Sequence, residues 1–250
     1  MGLLYNSTIH DFPKESNPPI LTTLTLFRYP PKNQFWAFSQ MQLAHARLIN
    51  TPGLKFYKLM GSGGNGGFGL WPNWSVYAFL GIWESTEAWS QFQTENTFAL
   101  EANERCSEQM TSFLHPIRTH GLWNGTNPFE PISLITTNAD SPIAVITRAK
   151  IRLKRLPEFL LNTSVAKSVL KNHPDLLLSI GLGETPLIYQ ATFSIWRNLA
   201  AMQQYAYKSP EHAKVISKTR QRNWYSEELF TRFQVLRCEG KWEGINVLVC

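Results

Sequence analysis

Gly121-Leu-Trp-Asn-Gly125 and Gly240-Lys-Trp-Glu-Gly244 are one pattern written twice, 119 residues apart. Two further pairs keep nearly the same spacing: Gly61-Ser-Gly63 with Gly181-Leu-Gly183 at 120, and Gly81-Ile-Trp83 with Ser194-Ile-Trp196 at 113. Three echoes in the same order mark two diverged copies of one unit. Each copy reads as an apolar strand (Leu21 to Tyr29; Ile143 to Ile151), a helix (Gln34 to Ile49; Leu156 to Asn172) and a strand ending in Gly-x-Gly. A second strand ending in Ile-Trp follows (Val76 to Trp83; Leu187 to Trp196), then a helical region, then a last strand (Met110 to Thr119; Leu229 to Cys238). That order, β-α-β-β-α-β twice, predicts an α+β protein of two ferredoxin-like repeats.

A ferredoxin-like sheet covers one face with helices and leaves the other bare, yet these strands are apolar enough to need cover on both. The two bare faces are expected to cover each other, forming a dimeric α/β barrel within one chain. The expected organisation is an N-terminal extension at 1–20, a first repeat at 21–125, a linker rich in Asn, Pro, Ser and Thr at 126–142, and a second repeat at 143–250. Spacing also separates the copies. Gly63 to Trp83 spans 20 residues but Gly183 to Trp196 only 13, so the first hairpin carries seven extra residues within Gly64 to Pro72. A dinucleotide fingerprint must lead into a helix, whereas a strand with Trp74, Val76, Tyr77 and Phe79 follows this Gly-rich loop, which therefore reads as a turn or a hairpin lid.

Of 250 residues, 43% are hydrophobic, 13% aromatic and 17% charged, which provides a core and excludes disorder. The net charge of +6 is uneven: residues 1–125 carry eight groups of each sign, and the excess lies wholly in 126–250. An anionic ligand, partner or membrane surface fits that asymmetry. Nucleic acid does not, for want of zinc-finger spacing or a basic arm. Cys106, Cys238 and Cys250 are too scattered for a disulfide framework or a metal pair. Asp11, Lys14, Glu15 and three prolines stand where a secretion signal needs an apolar run, and no apolar stretch spans a bilayer. A cytoplasmic protein is expected, with peripheral contact at a membrane and a homodimer as open expectations.

No Ser-His-Asp, Cys-His, paired-carboxylate or zinc spacing is readable. Glu227-Glu228 reads as a solvated pair at a strand start. His10, His115, His120 and His173 read as surface or turn residues, and His45 as a partly buried core histidine. His212 differs. On a helix begun by Pro210, residues Glu211, Lys214, Lys218 and Arg222 form a charged stripe, and His212, Val215, Ile216 and Thr219 an inward one. A neutral imidazole entering an apolar, basic-rimmed pocket suits haem iron, with Lys or Arg to offset the propionates. By pattern alone a hydrogen-bonded core histidine remains the commoner reading.

The motifs together resemble the spheroidene monooxygenases of bacterial carotenoid biosynthesis. The matching stretches are Phe35-Trp-Ala-Phe-Ser-Gln-Met41, Thr51-Pro-Gly-Leu-Lys-Phe-Tyr-Lys-Leu-Met-Gly-Ser-Gly63 and Pro72-Asn73. They continue with Ile180-Gly-Leu-Gly-Glu-Thr-Pro186, Gln190-Ala-Thr-Phe-Ser-Ile-Trp196, His212-Ala213 and Trp224-Tyr-Ser-Glu-Glu-Leu-Phe-Thr-Arg-Phe233. The resemblance runs from about Leu21 to Gly244. It implies a haem-dependent monooxygenase that places a keto group on a long acyclic carotenoid, using molecular oxygen and an electron donor such as ferredoxin. It also implies kinship with haem proteins of the dimeric α/β barrel type, in which a helix histidine of the second copy binds the iron, here His212. Departures are the extension at 1–20, Lys218-Thr-Arg-Gln221, and Trp71 in the hairpin.

The expected site therefore lies between the second copy's sheet and its long helical region, holding haem b with His212 on the iron and Ile216 one turn on. Phe193 is expected to line the cofactor. Arg148 and Gln190, polar residues on apolar strands, are the candidates for hydrogen bonding to iron-bound oxygen, and Arg148 alternatively for a propionate. The alternatives are a haem lyase or dehydratase of the aldoxime dehydratase type, and a haem-binding module without turnover.

Overall fold

The computed structural model describes residues 21–64, 71–132, 140–159, 173–185, 187–208 and 221–246. Eight strands form a closed antiparallel barrel. The first four are β1 (Leu21–Arg28), β2 (Leu54–Gly63), β3 (Pro72–Trp83) and β4 (Glu108–Gly121). The second four are β5 (Ile143–Ile151), β6 (Leu176–Thr185), β7 (Tyr189–Trp196) and β8 (Tyr225–Trp242), and a short β9 (Ile245–Asn246) turns back on β8. The order is β4-β1-β3-β2-β6-β7-β5-β8, closed by β4 against β8. Both halves thus run fourth, first, third, second, mirrored about the β2–β6 seam.

That seam explains the Gly-x-Gly echo. Gly61 stands opposite Gly183 and Ser62 opposite Leu182 where the two edge strands meet. At Gly183 a side chain would lie 2.8 Å from the Tyr189 carbonyl oxygen, a separation that real Cβ atoms do not adopt. The bare position lets β6 lie close on β7 while pairing with β2.

Alternation along the strands splits the side chains between two sides. Leu24, Met60, Leu80, Leu114, Ile146, Leu182, Phe193 and Phe233, one from each strand, fill the interior. On the outer side of the first half pack α1 (Gln34–Leu43), α2 (His45–Leu48), α3 (Thr86–Glu95) and α4 (Thr97–Arg105). Ser85 caps α3 by accepting from the Ala88 N–H at 3.2 Å, and Asn96 caps α4 by accepting from Phe98 at 2.9 Å. These helices bury Phe79, Trp83, Phe92, Phe98 and Phe113 against the sheet. In the second half, α5 (Leu199–Lys208) brings Met202 and Tyr205 onto Ile143, Val145 and Trp196.

The Gly-x-Trp-x-Gly echo is also a closing device. Asn124-Gly125 and Glu243-Gly244 all have positive φ, between 52° and 83°, the geometry of two-residue hairpin turns that match strand twist. Each turn directs two backbone N–H groups at a carboxylate at the start of the other half's last strand. Glu227 accepts from Asn124 and Gly125 at 2.9 and 2.8 Å, and Glu108 from Glu243 and Gly244 at 3.2 and 2.9 Å. A strand arginine completes each set: Arg148 on Glu227 beneath Trp123, and Arg28 on Glu108 beneath Trp242. Each half therefore holds the other's final turn.

Several sequence expectations change here. Glu227 is no solvated residue, because Arg148 and two backbone donors hold it. His115 is buried within β4, and His45 is exposed on α2, its Nδ1 within 2.9 Å of the Tyr57 hydroxyl. Most of the seven-residue hairpin excess, 65–70, lies outside the described residues, as do 133–139 of the linker.

Candidate functional site

The outer faces of the two halves differ in burial at mid-sheet. Mid-sheet in the first half, register places Phe79, Thr25 and Thr111 side by side across β3, β1 and β4. All three are buried under the helices, and the Thr25 and Thr111 hydroxyls lie 2.9 Å apart. The corresponding row of the second half is Thr192, Thr147 and Phe230 across β7, β5 and β8. Here Thr147 is exposed and its neighbours half-buried. Buried rows are what strands of a closed barrel with covering helices should have on both sides. Thr147, at the centre of its row, is exposed where its counterpart Thr25 is buried.

Cross-strand partners share a face, so the surroundings of the row follow from register. Gln190 lies on the same face, two residues from Thr192 and beside Ala149. Toward β4, Phe230 faces His120, and Arg232, which is buried, faces Arg118, which is exposed. On the far side α5 closes the face with the packed rings of Trp196 and Tyr205, centroids 5.0 Å apart, and His173 edge-on to Trp196 at 5.2 Å. Glu228, exposed, marks the edge. The face combines Phe230 and Ala149 with two threonine hydroxyls, one amide, and basic side chains along its β4 margin.

Strand parity decides where the expected residues fall. Gln190 is on this face. Arg148 and Phe193 are not: each stands one residue from a member of the open row, so each points into the barrel. Phe193 is fully enclosed in the interior core. The Arg148 side chain is 1% exposed and is ion-paired with Glu227, with Asn124 Oδ1 at 2.9 Å and Glu184 at 3.5 Å. Glu184 also takes Lys58 at 2.9 Å and the Trp123 indole N–H at 2.8 Å, tying β2, β5, β6 and β8 together. Burial pushes the Glu227 carboxyl upward, but the N–H groups of Asn124 and Gly125 and the Arg148 guanidinium outweigh it and hold it below the usual range. Arg148 is thus a partner of carboxylates inside the barrel. His212 and Ile216 lie outside the described residues.

Sequence reasoning passed over Thr147, Arg118, His120 and Arg232. The signal was present in the polar alternation of Phe230-Thr-Arg-Phe-Gln234, which sets Arg232 and Gln234 on the side opposite Phe233. Among the described residues, no group of three or more His, Cys, Asp or Glu side chains gathers to hold a metal ion.

No family model matches the chain. Curated relatives do. It is 35% identical over 230 residues to the spheroidene monooxygenase of Rhodobacter capsulatus, covering 91% of this chain and 95% of that protein. It is 33% identical over 224 residues to the spheroidene monooxygenase of Cereibacter sphaeroides, covering 89% and 68%. The chain belongs to the spheroidene monooxygenase family. Among solved structures, an aldoxime dehydratase superposes with a TM-score of 0.56 at 11% identity over 92% of this chain and 89% of that one. The aldoxime dehydratase OxdRE gives the same TM-score over 86% and 79%. At that identity the likeness is one of fold, a barrel shared with enzymes of other chemistry.

Proposed function

We propose that this member of the family is a haem-dependent monooxygenase that introduces a keto group into a long apolar polyene, an acyclic carotenoid such as spheroidene. Molecular oxygen is the co-substrate and a protein such as ferredoxin the electron donor. The observation that carries this reading is the open Thr192–Thr147–Phe230 row, set against its buried counterpart in the first half. Family membership directs the choice of substrate. The finer architecture belongs to the same reading: two ferredoxin-like copies at 21–125 and 143–250, joined by 126–142.

The residues on that face fit a haem. A planar macrocycle needs an apolar floor, a proximal donor from a covering helix, and cations near its propionates. Phe230 and the two threonines give the floor. Arg118 and Arg232 place positive charge along one margin beside His120, and Gln190 offers an amide able to donate a hydrogen bond on this face. His212, with Ile216 in the next turn, is the proposed donor. When bound, the haem supplies an iron centre at which oxygen is activated. The chain's part is to exclude water, orient the polyene and supply the amide hydrogen bond. Arg148 and Phe193 take no direct part, since both face the barrel interior.

Aerobic turnover of an acyclic carotenoid with reduced ferredoxin, lost under anaerobic conditions, tests the reading. Turnover of an aldoxime without oxygen would instead assign the dehydratase chemistry of the structural neighbours. Haem uptake with neither turnover would leave a binding module.

A further inference from the structure

We propose that the outer face of α1 and α2, together with Trp71 and Trp74, docks the protein on a lipid bilayer containing anionic headgroups. The surface rests on exposure, geometry and charge; its purpose, access to a membrane-dissolved polyene, rests on the function proposed above.

The first helix is inside out by ordinary standards. Its amide Gln40 is buried at 6% exposure while Phe35 is 83% exposed, and Phe38, Leu43 and Ile49 are exposed as well. Phe35, Phe38, Gln42, His45 and Ile49 follow at steps of three and four residues, so they form one stripe along α1 and α2. Phe38 meets Trp74 edge to face, centroids 5.2 Å apart, and this contact joins the stripe to the head of β3. There Trp71 is 84% exposed. The result is an exposed ridge of Phe35, Phe38, Ile49, Trp71 and Trp74, interspersed with Gln42 and His45, the mixture that settles at the headgroup level of a bilayer. An exposed apolar patch of this kind implies a partner.

Charge decides which partner. Between Glu15 and Glu84 the sequence contains no acidic residue and five basic ones, Arg28, Lys32, Arg47, Lys55 and Lys58. Carboxylates from elsewhere in the chain engage four of them: Glu108 with Arg28, Glu101 with Arg47, Glu84 with Lys55 and Glu184 with Lys58. Lys32, exposed just before α1, lies at the end of the ridge where Phe35 begins it. A ridge with a cation at its rim and no carboxylate along its length can enter an anionic interface without desolvating a negative group.

The test is flotation of the full-length protein with vesicles of phosphatidylcholine, with and without phosphatidylglycerol, in the absence of substrate. Binding is expected to both, tighter with phosphatidylglycerol, with a blue shift of tryptophan emission that Trp71→Phe reduces. Phe35→Ser/Phe38→Ser/Trp71→Ser should keep its circular dichroism and lose at least about tenfold in partitioning. Lys32→Glu should weaken binding to the anionic vesicles alone, and Leu122→Ser, an exposed apolar residue elsewhere, should change nothing. No flotation, or flotation unaltered in the triple variant, overturns the proposal. A concentration-dependent dimer that the triple variant abolishes, without vesicle binding, would assign the ridge to a second copy of the chain. None of these outcomes depends on haem or catalysis, so failure here leaves the proposed activity standing.

Discussion

Glu227 accepts the backbone N–H of Gly125 at 2.8 Å, and 119 residues away Glu108 accepts that of Gly244 at 2.9 Å. The two contacts are counterparts in the two halves of the barrel. Each half uses an acidic residue at the foot of its last strand to hold the turn that ends the other half, and an arginine on its first strand to hold the acid. The halves are nonetheless unequal: the Arg148 side chain is 1% exposed and that of Arg28 32%.

That inequality predicts unequal costs. Glu227→Gln leaves a buried guanidinium with Glu184 at 3.5 Å as its remaining carboxylate beside the neutral Asn124 Oδ1 at 2.9 Å, and should destabilise the fold by about 3 kcal/mol. Glu108→Gln affects a partly hydrated arginine and should cost about 1 kcal/mol. Urea unfolding of the two variants measures both. Equal losses would mean that burial of Arg148 adds nothing.

The same carboxyls set an acid limit. Both are held below the ordinary glutamate value: burial raises each, but the turn N–H groups and the paired arginine together lower it further. A carboxyl whose folded pKa is depressed stabilises above its unfolded pKa, and loses that contribution as pH falls toward the folded one. Stability should therefore hold from neutral pH down to the ordinary carboxyl range and fall below it. In Glu108→Gln/Glu227→Gln the acid slope should flatten, as thermal unfolding against pH would record.

The seam predicts a second asymmetry. Gly183→Ala puts a methyl 2.8 Å from a backbone carbonyl oxygen, whereas at Gly61 the nearest atom, of the Tyr77 ring, is 3.8 Å away. Gly183→Ala should cost about 1–3 kcal/mol and Gly61→Ala under about 0.5 kcal/mol. Denaturation midpoints of the two proteins decide it.

These glycines also indicate what a sequence can and cannot convey. Paired Gly-x-Gly and Gly-x-Trp-x-Gly motifs stand out in the sequence because several of their glycines, Gly121, Gly183 and Gly240 among them, sit where a side chain would meet backbone. The strands were legible for a related reason, their apolar runs being long: β1 and β5 start where the patterning places them, and β8 extends past the expected strand at both ends. Side-chain direction was less legible. Arg148 and Gln190 were read as neighbours in one site, yet they belong to opposite faces, since the alternation of β5 and β7 has to be fixed in register before facing is known. Glu227 looked solvated because its partners lie 79 and about 100 residues away in the chain. His45 looked like core because α1 and α2 carry apolar residues on both sides, and the outward set is the one it joins.

Thr147 offers a test of the open face. Thr147→Trp would fill the row while extending into exposed space, so circular dichroism and thermal midpoint should change little. Haem uptake on titration with hemin should fall at least about tenfold. The matching Thr25→Trp lies under helices on the first half, and should instead unfold the protein. Unchanged uptake in Thr147→Trp would remove the face as the cofactor site.

The central claim, that His212 holds a haem iron, is tested most directly by the absorption spectrum of His212→Ala beside that of His45→Ala. The unaltered protein supplied with haem should show a Soret band that shifts on reduction and again with carbon monoxide. His212→Ala should remain folded, at a cost of about 1–3 kcal/mol, with haem occupancy or spin state strongly changed and partly restored by added imidazole. His45→Ala, at an exposed histidine within hydrogen-bonding distance of Tyr57, should leave the spectrum intact. A normal Soret band in His212→Ala together with its loss in His45→Ala would contradict the account.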